Sequence, residues 1–147
     1  MEELKNSGGT IQFIVIKVGE EQYGIDIKYV DNIIHVSSIT RVPKVASYVK
    51  GVINVRGEVI PVMDIRTKMG LPEAAHTKDT RIVIIKSEQH GYVGLIVDAV
   101  REVVTLEIDT IEKMSYDRTG KDMFVTGVGK HMGALISLLD LNEVLAG

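Results

Sequence analysis

Short runs of apolar residues, bounded by turn residues, recur along the chain in a pattern that is typical of β-strands. Residues 11–18 and 23–27 are two such runs on either side of a polar segment, and together they predict a hairpin. Residues 51–65, 81–97 and 123–139 each follow the order strand, turn, strand, and residues 103–108 predict a single strand. The pattern therefore predicts a mainly β protein.

Two short segments have helical spacing instead. Val30, Ile33 and Ile34 recur at intervals of three and four residues, which predicts one or two turns of helix. Residues 140–145 predict a short closing helix. Residues 1–10 are polar and include two adjacent glycines, so we interpret them as a flexible tail before one domain at residues 11–147.

The two halves of the sequence share one order of strands and turns, which appears when the chain is compared with itself. The matched pairs are Gly51/Gly127, Gly57/Gly133 and Asp64/Asp140 at a shift of 76 residues, and Gly24/Gly94, Val30/Val100 and Ile33/Val103 at a shift of 70. The repeat predicts two similar β subdomains, at about residues 11–75 and 81–147. Each is short for an independent domain, so they should pack together, and strands can cross between them.

Composition supports the β assignment and removes several classes of function. The chain has 20 Val and 18 Ile against 9 Leu, and β-branched residues favour strands. A net charge of −3 argues against nucleic-acid binding and against a basic membrane patch. With no cysteine, disulfides and thiolate metal sites are excluded, and cysteine-free composition fits the cytoplasm. Residues 1–10 lack the apolar segment of a signal peptide, so we expect none here, and no apolar run is long enough to span a membrane.

Asp64 and Asp140 are the most prominent candidate catalytic groups, because they occupy equivalent places in the two halves and paired carboxylates can perform acid–base chemistry. Each, however, follows a strand and precedes a helix-like segment. Asp140 also has a glutamate three residues later, the spacing of a capping box. We therefore interpret both residues as helix caps.

A nucleotide site is suggested by Gly127 and Gly129-Lys130, but the pattern is incomplete. A phosphate-binding loop requires glycine at position 124, which is Phe, and Ser or Thr at position 131, which is His. No histidine pair has the spacing of metal ligands. The sequence thus predicts no catalytic residue, no metal site and no cofactor, and it favours a binding module.

Arg56 and Gly57 lie at the predicted turn between two apolar strands. Gly57 can supply the positive φ of the turn, and Arg56 is either incidental or presented to a partner. A similar choice applies to the matched apolar residues of the repeat. They belong to the subdomain cores or line an apolar groove between the subdomains, and these residues are Val30, Ile33, Val100 and Val103.

Several segments together resemble the chemotaxis coupling protein CheW family. They are Tyr23-Gly-Ile-Asp-Ile27, Val30-x-x-Ile33, Ile39-Thr-Arg-Val-Pro43, Lys50-Gly-Val-Ile-Asn-Val-Arg-Gly-Glu-Val-Ile-Pro61, Asp64-Ile-Arg66, Val93-Gly-Leu-Ile-Val-Asp98, Val100-x-x-Val103, Thr126-Gly-Val-Gly129 and Leu139-Asp-Leu141. The resemblance covers nearly the whole chain after the tail. The segment from Lys50 to Gly57 is its most specific part.

This resemblance implies two packed SH3-like five-stranded β-barrel subdomains with a few short helices. It implies a cytoplasmic adaptor without enzymatic activity, which links the cytoplasmic tips of methyl-accepting chemotaxis receptors to the regulatory domain of the histidine kinase CheA. The receptor would bind a groove between the barrels, at Val30, Ile33, Arg56, Val100 and Val103. For the kinase, the expected contacts are Ile39, Val42, Pro43 and Gly51.

One position departs from the family pattern. Family members often carry an acid immediately before the isoleucine of Val-x-x-Ile, where this chain has Asn32 and places its acid, Asp31, one residue earlier. A polar contact at that point is therefore expected to differ.

Two alternatives stay open at this stage. One is a CheW-like module of a larger signalling protein, either a CheA regulatory domain or a CheV-type protein. The initial Met1 and the closing helix favour a separate adaptor. The other is a small nucleotide-binding β-barrel.

Overall fold

The computed structural model describes residues 9–115 and 118–146, which form eleven strands, two short α-helices and three 3-10 turns. The strands are β1 (Thr10–Val18), β2 (Glu21–Asp26), β3 (Val30–His35), β4 (Val49–Val55), β5 (Glu58–Asp64), β6 (Arg81–Ser87), β7 (Gly91–Val97), β8 (Ala99–Glu107), β9 (Glu112–Lys113), β10 (Val125–His131) and β11 (Ala134–Leu139). The helices are α1 (Ile65–Lys68) and α2 (Leu141–Leu145), and the 3-10 turns are Ile27–Tyr29, Ile108–Thr110 and Gly120–Phe124.

The strands form two sheets, and each sheet takes strands from both halves of the sequence. The first sheet, which we call sheet A, has the order β8-β1-β2-β11-β10-β9. Sheet B has the order β3-β6-β7-β5-β4. The first hairpin of each half thus lies in the sheet that otherwise belongs to the other half.

The exchange follows the internal repeat of the sequence. Each exchanged hairpin joins its new sheet through a parallel contact, between β2 and β11 in sheet A and between β7 and β5 in sheet B. The two contacts occupy equivalent places, because the repeat matches β2 with β7 and β11 with β5. The two sheets are therefore built on the same plan.

The described residues form three apolar clusters. One lies within each sheet, around Phe13 and Val15 in sheet A and around Ile82 and Ile84 in sheet B. The third and largest, the central cluster, contains residues of both sheets, including Ile16 and Ile85. This arrangement confirms the prediction of a mainly β fold with two packed β subdomains. Sheet A has one strand more than expected, the two-residue β9.

The helix predicted at Val30–Ile34 is wrong, because these residues belong to β3. A β-bulge between Val30 and Asn32 shifts the register against β6. The extra residue of the bulge, Asp31, brings Val30 and Ile33 onto the same face of the strand despite their spacing of three. A bulged strand can therefore imitate helical periodicity.

The described N-terminal residues partly overlap the predicted tail. Thr10 already begins β1, and the carbonyl of Gly9 accepts a hydrogen bond from the Ile108 amide at 2.9 Å. The rest of the predicted tail, residues 1–8, lies outside the described residues. Within residues 9–115 and 118–146, no helix has the length and apolar character needed to cross a bilayer.

Candidate partner-binding site

The four matched apolar residues of the repeat all face the central cluster. In β3, Val30 lies opposite Ile85 and Ile33 opposite Val83. Ile85 and Val83 belong to the central cluster, and side chains that lie directly opposite in an antiparallel pair share one face of the sheet. Val30 and Ile33 are partly buried against this cluster.

Strand β8 repeats this arrangement in sheet A. Val100 lies opposite Ile16 and Val103 opposite Ile14, and a bulge with Arg101 as its extra residue places both valines on one face. Val100 is partly buried against the central cluster, whereas Val103 is 50% exposed. The bulges of β3 and β8 thus direct four apolar residues from two sheets toward the same cluster, with Val103 at its open margin.

Arg56 occupies the tip of the hairpin between β4 and β5. Arg56 and Gly57 have φ values of 49° and 86°, as a two-residue hairpin turn of the primed type requires, and the Asn54 Oδ1 atom accepts a hydrogen bond from the Gly57 amide at 3.1 Å. The Arg56 Nη2 atom lies 3.8 Å from Oδ2 of Asp31, the bulged residue of β3. The turn therefore holds an exposed cation beside the strand that carries Val30 and Ile33.

Asn32, where the sequence departs from the family pattern, makes a local hydrogen bond. The Asn32 Oδ1 atom accepts a hydrogen bond from the following amide, that of Ile33, at 2.9 Å. The acid that faces Arg56 is instead Asp31. The contact between β3 and the hairpin tip is thus made by the residue next to the one at which the family usually carries its acid.

Sequence reasoning did not identify the exposed apolar residues on the two equivalent hairpins. Met132, which matches Arg56 in the repeat, is 92% exposed, and Leu135 and its match Val59 are 67% and 66% exposed. Their positions follow from the 76-residue shift combined with the alternation of β5 and β11. That shift was the sequence signal that could have found them.

The residues expected to contact the kinase separate into a surface group and a buried glycine. Ile39, Val42 and Pro43 line an open cavity of about 620 Å³. Arg41 and Lys44 line it too, and neither forms an ion pair within the described residues. Lys50 also lines the cavity, and its Nζ atom bonds Glu73 Oε2 at 2.9 Å, which lowers the pKa of that carboxyl.

Gly51 differs from the other three, because it is buried beneath the loop and offers no side chain to a partner. Its φ is 146°, and a Cβ atom at this position would lie 2.1 Å from the Thr40 carbonyl oxygen. Thr40 bridges Val52 at this crossing, with amide-to-carbonyl distances of 2.8 and 2.9 Å. Gly51 therefore permits the loop to cross β4, and we assign no partner contact to it.

Asp64 and Asp140 both lie at the N-terminus of a helix. The Asp64 Oδ1 atom accepts a hydrogen bond from the Arg66 amide at 2.9 Å. The Asp140 Oδ1 atom accepts from the Glu143 amide at 3.4 Å, and its Oδ2 atom lies 3.7 Å from Arg118. With their oxygens engaged in this way, the two carboxylates act as caps.

Among the described residues there is no group of three or more His, Asp or Glu side chains that could hold a metal ion.

The tyrosine buried in β2, Tyr23, donates its hydroxyl proton to Glu21 Oε1 at 2.8 Å, and burial raises the pKa of its phenol. Tyr23 is thus neutral at physiological pH and serves as a core residue.

The sequence is similar to those of known CheW proteins over most of its length. A family model described as the CheW-like domain matches residues 12–147. The chain is 36% identical over 135 residues to chemotaxis protein CheW of Bacillus subtilis, covering 91% of this chain and 86% of that protein. It is 30% identical over 135 residues to chemotaxis protein CheW of Helicobacter pylori, covering 92% and 81%.

A solved structure gives the same result at the level of the fold. The crystal structure of the scaffolding protein TtCheW from Thermoanaerobacter tengcongensis superposes with a TM-score of 0.87 at 32% identity. The match covers 95% of this chain and 94% of that one. We call the place where Val30, Ile33, Val100 and Val103 meet beside the central cluster the seam between the sheets. The sheets, this seam and the hairpin tips belong to a fold that is shared along nearly the whole chain.

Proposed function

The chain belongs to the CheW-like family, and on that premise we propose that it is a non-catalytic adaptor of bacterial chemotaxis, which couples methyl-accepting chemoreceptors to the histidine kinase CheA. The observation that carries the proposal is that Val30, Ile33 and Val100 pack against the central cluster from two sheets, with the half-exposed Val103 on the same face of β8 as Val100. An adaptor holds two partners at a fixed distance and orientation. Because the seam is built from both sheets, a partner bound there is held by the packed core of the whole domain. We place it in the cytoplasm, at receptor arrays.

The receptor tip, in this proposal, lies along the seam between the sheets. Receptor tips are helical, and a helix binds a groove by placing its apolar face against apolar side chains. Val103 supplies the most exposed apolar contact, and Val30, Ile33 and Val100 form the partly buried floor. Arg56 contributes a cation at the margin, where its side chain is 74% exposed.

The kinase regulatory domain, in this proposal, binds the loop that carries Ile39, Val42 and Pro43. The loop combines half-exposed apolar side chains with two cations, Arg41 and Lys44, that have no ion pair among the residues the structure describes. These features suit a partner surface with both apolar and acidic groups. The loop connects β3 to β4 and shares no residue with the proposed receptor site, so the kinase and the receptor would have separate sites.

Two substitutions of half-exposed valines test the two surfaces against each other. Val103→Asp should weaken binding of a receptor cytoplasmic fragment by at least about tenfold, because a carboxylate would be buried against an apolar helix face. Val45→Asp, at a position that is 44% exposed in the kinase loop, should weaken CheA binding and spare the receptor. Each variant is the control for the other, and calorimetry with each purified partner measures both affinities.

The wild-type protein comes first in this experiment. If it bound neither a receptor fragment nor CheA, the adaptor function would be rejected. If both partners bound and the two valine variants lost the same partner, the division into two surfaces would be wrong. Absence of nucleotide hydrolysis by the purified protein is also expected, and turnover that increases with purity would contradict a non-catalytic role.

A further inference from the structure

We propose that Arg66 and Asp98 are positioning residues, which hold the start of β8 and thereby fix Val100 and Val103 in the seam. The proposal rests on the proposed function, since it assigns these valines to the receptor groove. It concerns neither of the two partner contacts directly. Neither residue of the pair was expected to act at the site from the sequence.

Asp98 lies between β7 and β8, where the chain leaves sheet B for sheet A. Its Oδ2 atom accepts hydrogen bonds from Arg66 Nη1 at 2.6 Å and from the Gly19 amide at 2.8 Å. Its own amide donates to the Lys17 carbonyl at 3.0 Å. One residue therefore holds the turn between β1 and β2 through its backbone and its side chain together.

Arg66 holds the opposite side of this contact. It belongs to α1, which directly follows β5 of sheet B, and its Nε atom donates to the Pro72 carbonyl at 2.9 Å. The Arg66 side chain is 17% exposed and that of Asp98 is 27% exposed. Limited exposure and a short charge-assisted hydrogen bond make this pair stronger than an ordinary surface ion pair.

The clasp formed by Arg66, Asp98 and Gly19 acts on the residues that come next in the chain. Ala99 pairs with Lys17 and Val100 pairs with Ile16, immediately before the bulge that directs Val100 and Val103 to one face. The clasp therefore sets the point at which β8 begins to pair with β1. Without it, the first pairs of the strand are held only by their ladder, and the bulge can shift.

Among the described residues, the other half of the molecule has no ion pair equivalent to that of Arg66 and Asp98. The 70-residue shift places Lys28 where Asp98 lies, and the 76-residue shift places Asn142 where Arg66 lies. Across the described ranges, no ion pair joins those two positions. The clasp is thus specific to the β8 side of the seam, although the fold is repeated. Loss of the clasp should move Val100 and Val103 without moving Val30 and Ile33.

The test uses Asp98→Asn and Arg66→Gln, with Arg66→Lys as the conservative variant and Arg118→Gln as the matched control. Arg118 also loses one charge in that change, and its ion pair with Asp140 has similar exposure, but it lies at the cap of α2. Three quantities are measured for each full-length variant: affinity for a receptor cytoplasmic fragment, affinity for CheA, and amide hydrogen exchange of residues 96–104.

Asp98→Asn and Arg66→Gln should each weaken receptor binding about tenfold, within the range that mutations in coupled networks produce, and should accelerate exchange in residues 96–104. CheA affinity and exchange in β3 should be unchanged for Asp98→Asn, and Arg66→Lys should recover part of the receptor affinity. Arg118→Gln should leave receptor binding and exchange in β8 unchanged. A purely structural role would lower both affinities together.

Two results would overturn the proposal in different ways. If wild-type protein binds the receptor and the Arg66 and Asp98 variants bind equally well, the clasp does not position the groove. If wild-type protein binds no receptor fragment, the proposed function fails and the role of the clasp at the groove fails with it. If the Arg66 or Asp98 variants accelerated exchange, relative to wild type, more in β3 than in β8, the assignment would also be contradicted. The effect would then lie on the side of the seam that the clasp does not hold.

Discussion

Arg56 shows how one residue can be kept in a backbone conformation that it does not favour. Positive φ is readily adopted by glycine and is tolerated by asparagine, whereas for arginine it carries a cost. The stabilisation that Arg56 gains within the protein is small, because its exposed ion pair with Asp31, at 3.8 Å, contributes little to the free energy of unfolding. This balance is consistent with the proposal that Arg56 contacts the receptor.

Replacing Arg56 by Asn separates these two contributions. Asn adopts the positive φ of this turn at lower cost than Arg, which should stabilise the protein by about 1 kcal/mol, and loss of the Asp31 pair should remove about 0.5 kcal/mol. We expect urea unfolding to show a slightly higher free energy of unfolding, together with weaker receptor binding. Arg56→Glu should weaken receptor binding further without unfolding the protein. A fall in stability of more than about 1 kcal/mol for Arg56→Asn would assign the residue a structural role instead.

At the scale of the elements, two close crossings bring a strand against a neighbouring segment of the chain. Gly51 in β4 lies beneath Thr40, and Gly127 in β10 lies beneath Glu112, whose carbonyl oxygen would be 2.7 Å from a Cβ atom. Both glycines are followed by the pairing that covers the strand edge, at Val52 and at Val128. The repeat thus conserves a crossing that only a residue without a side chain permits.

Gly51→Ala should be among the most destabilising single substitutions in this protein. The new methyl group would overlap the Thr40 carbonyl, and φ would remain in a region that alanine avoids, so we expect a loss of about 3 kcal/mol. Gly70→Ala is the matched control, since Gly70 also has positive φ but no atom within 4 Å of the added methyl group. Thermal unfolding of both variants measures the difference. Equal losses would show that the crossing is not tightly packed.

Some of the elements could be predicted from the sequence and others could not. The hairpins were predictable because alternation and turn residues are local, and the caps at Asp64 and Asp140 because capping is local too. The strand at Val30–His35 was missed since a bulge gave it helical spacing. The clasp was missed for another reason: Arg66 and Asp98 are separated by 32 residues and meet only after two sheets have packed.

The whole molecule is a reciprocal arrangement, in which each half supplies a hairpin to the sheet of the other half. Residues 11–75 and 81–147 are useful as units of sequence repeat, yet β3 pairs with β6 and β5 with β7 across that boundary. The pairing energy of each sheet therefore depends on both halves. For this reason we propose that residues 11–147 behave as one cooperative domain.

A single unfolding transition is the expected behaviour on heating or in urea. Circular dichroism at far-ultraviolet wavelengths and tyrosine fluorescence should report coincident midpoints, as two-state unfolding requires. Fragments 9–80 and 81–146, prepared separately, should lack stable sheet structure. Two resolved transitions, or a folded isolated fragment, would show that the halves are independent domains.

The parallel contact between β2 and β11 also has a consequence for how the chain is made. Tyr23 pairs with Ser137, which is synthesised roughly 110 residues later. At ordinary rates of synthesis, the hairpin of β1 and β2 is made on the order of 10 s before β11. Until β8 has been made as well, the apolar strand β1 also lacks its second neighbour. A newly made chain therefore has an early interval in which an apolar strand edge is open to other chains, and the rate of translation and the supply of chaperones bear on its yield.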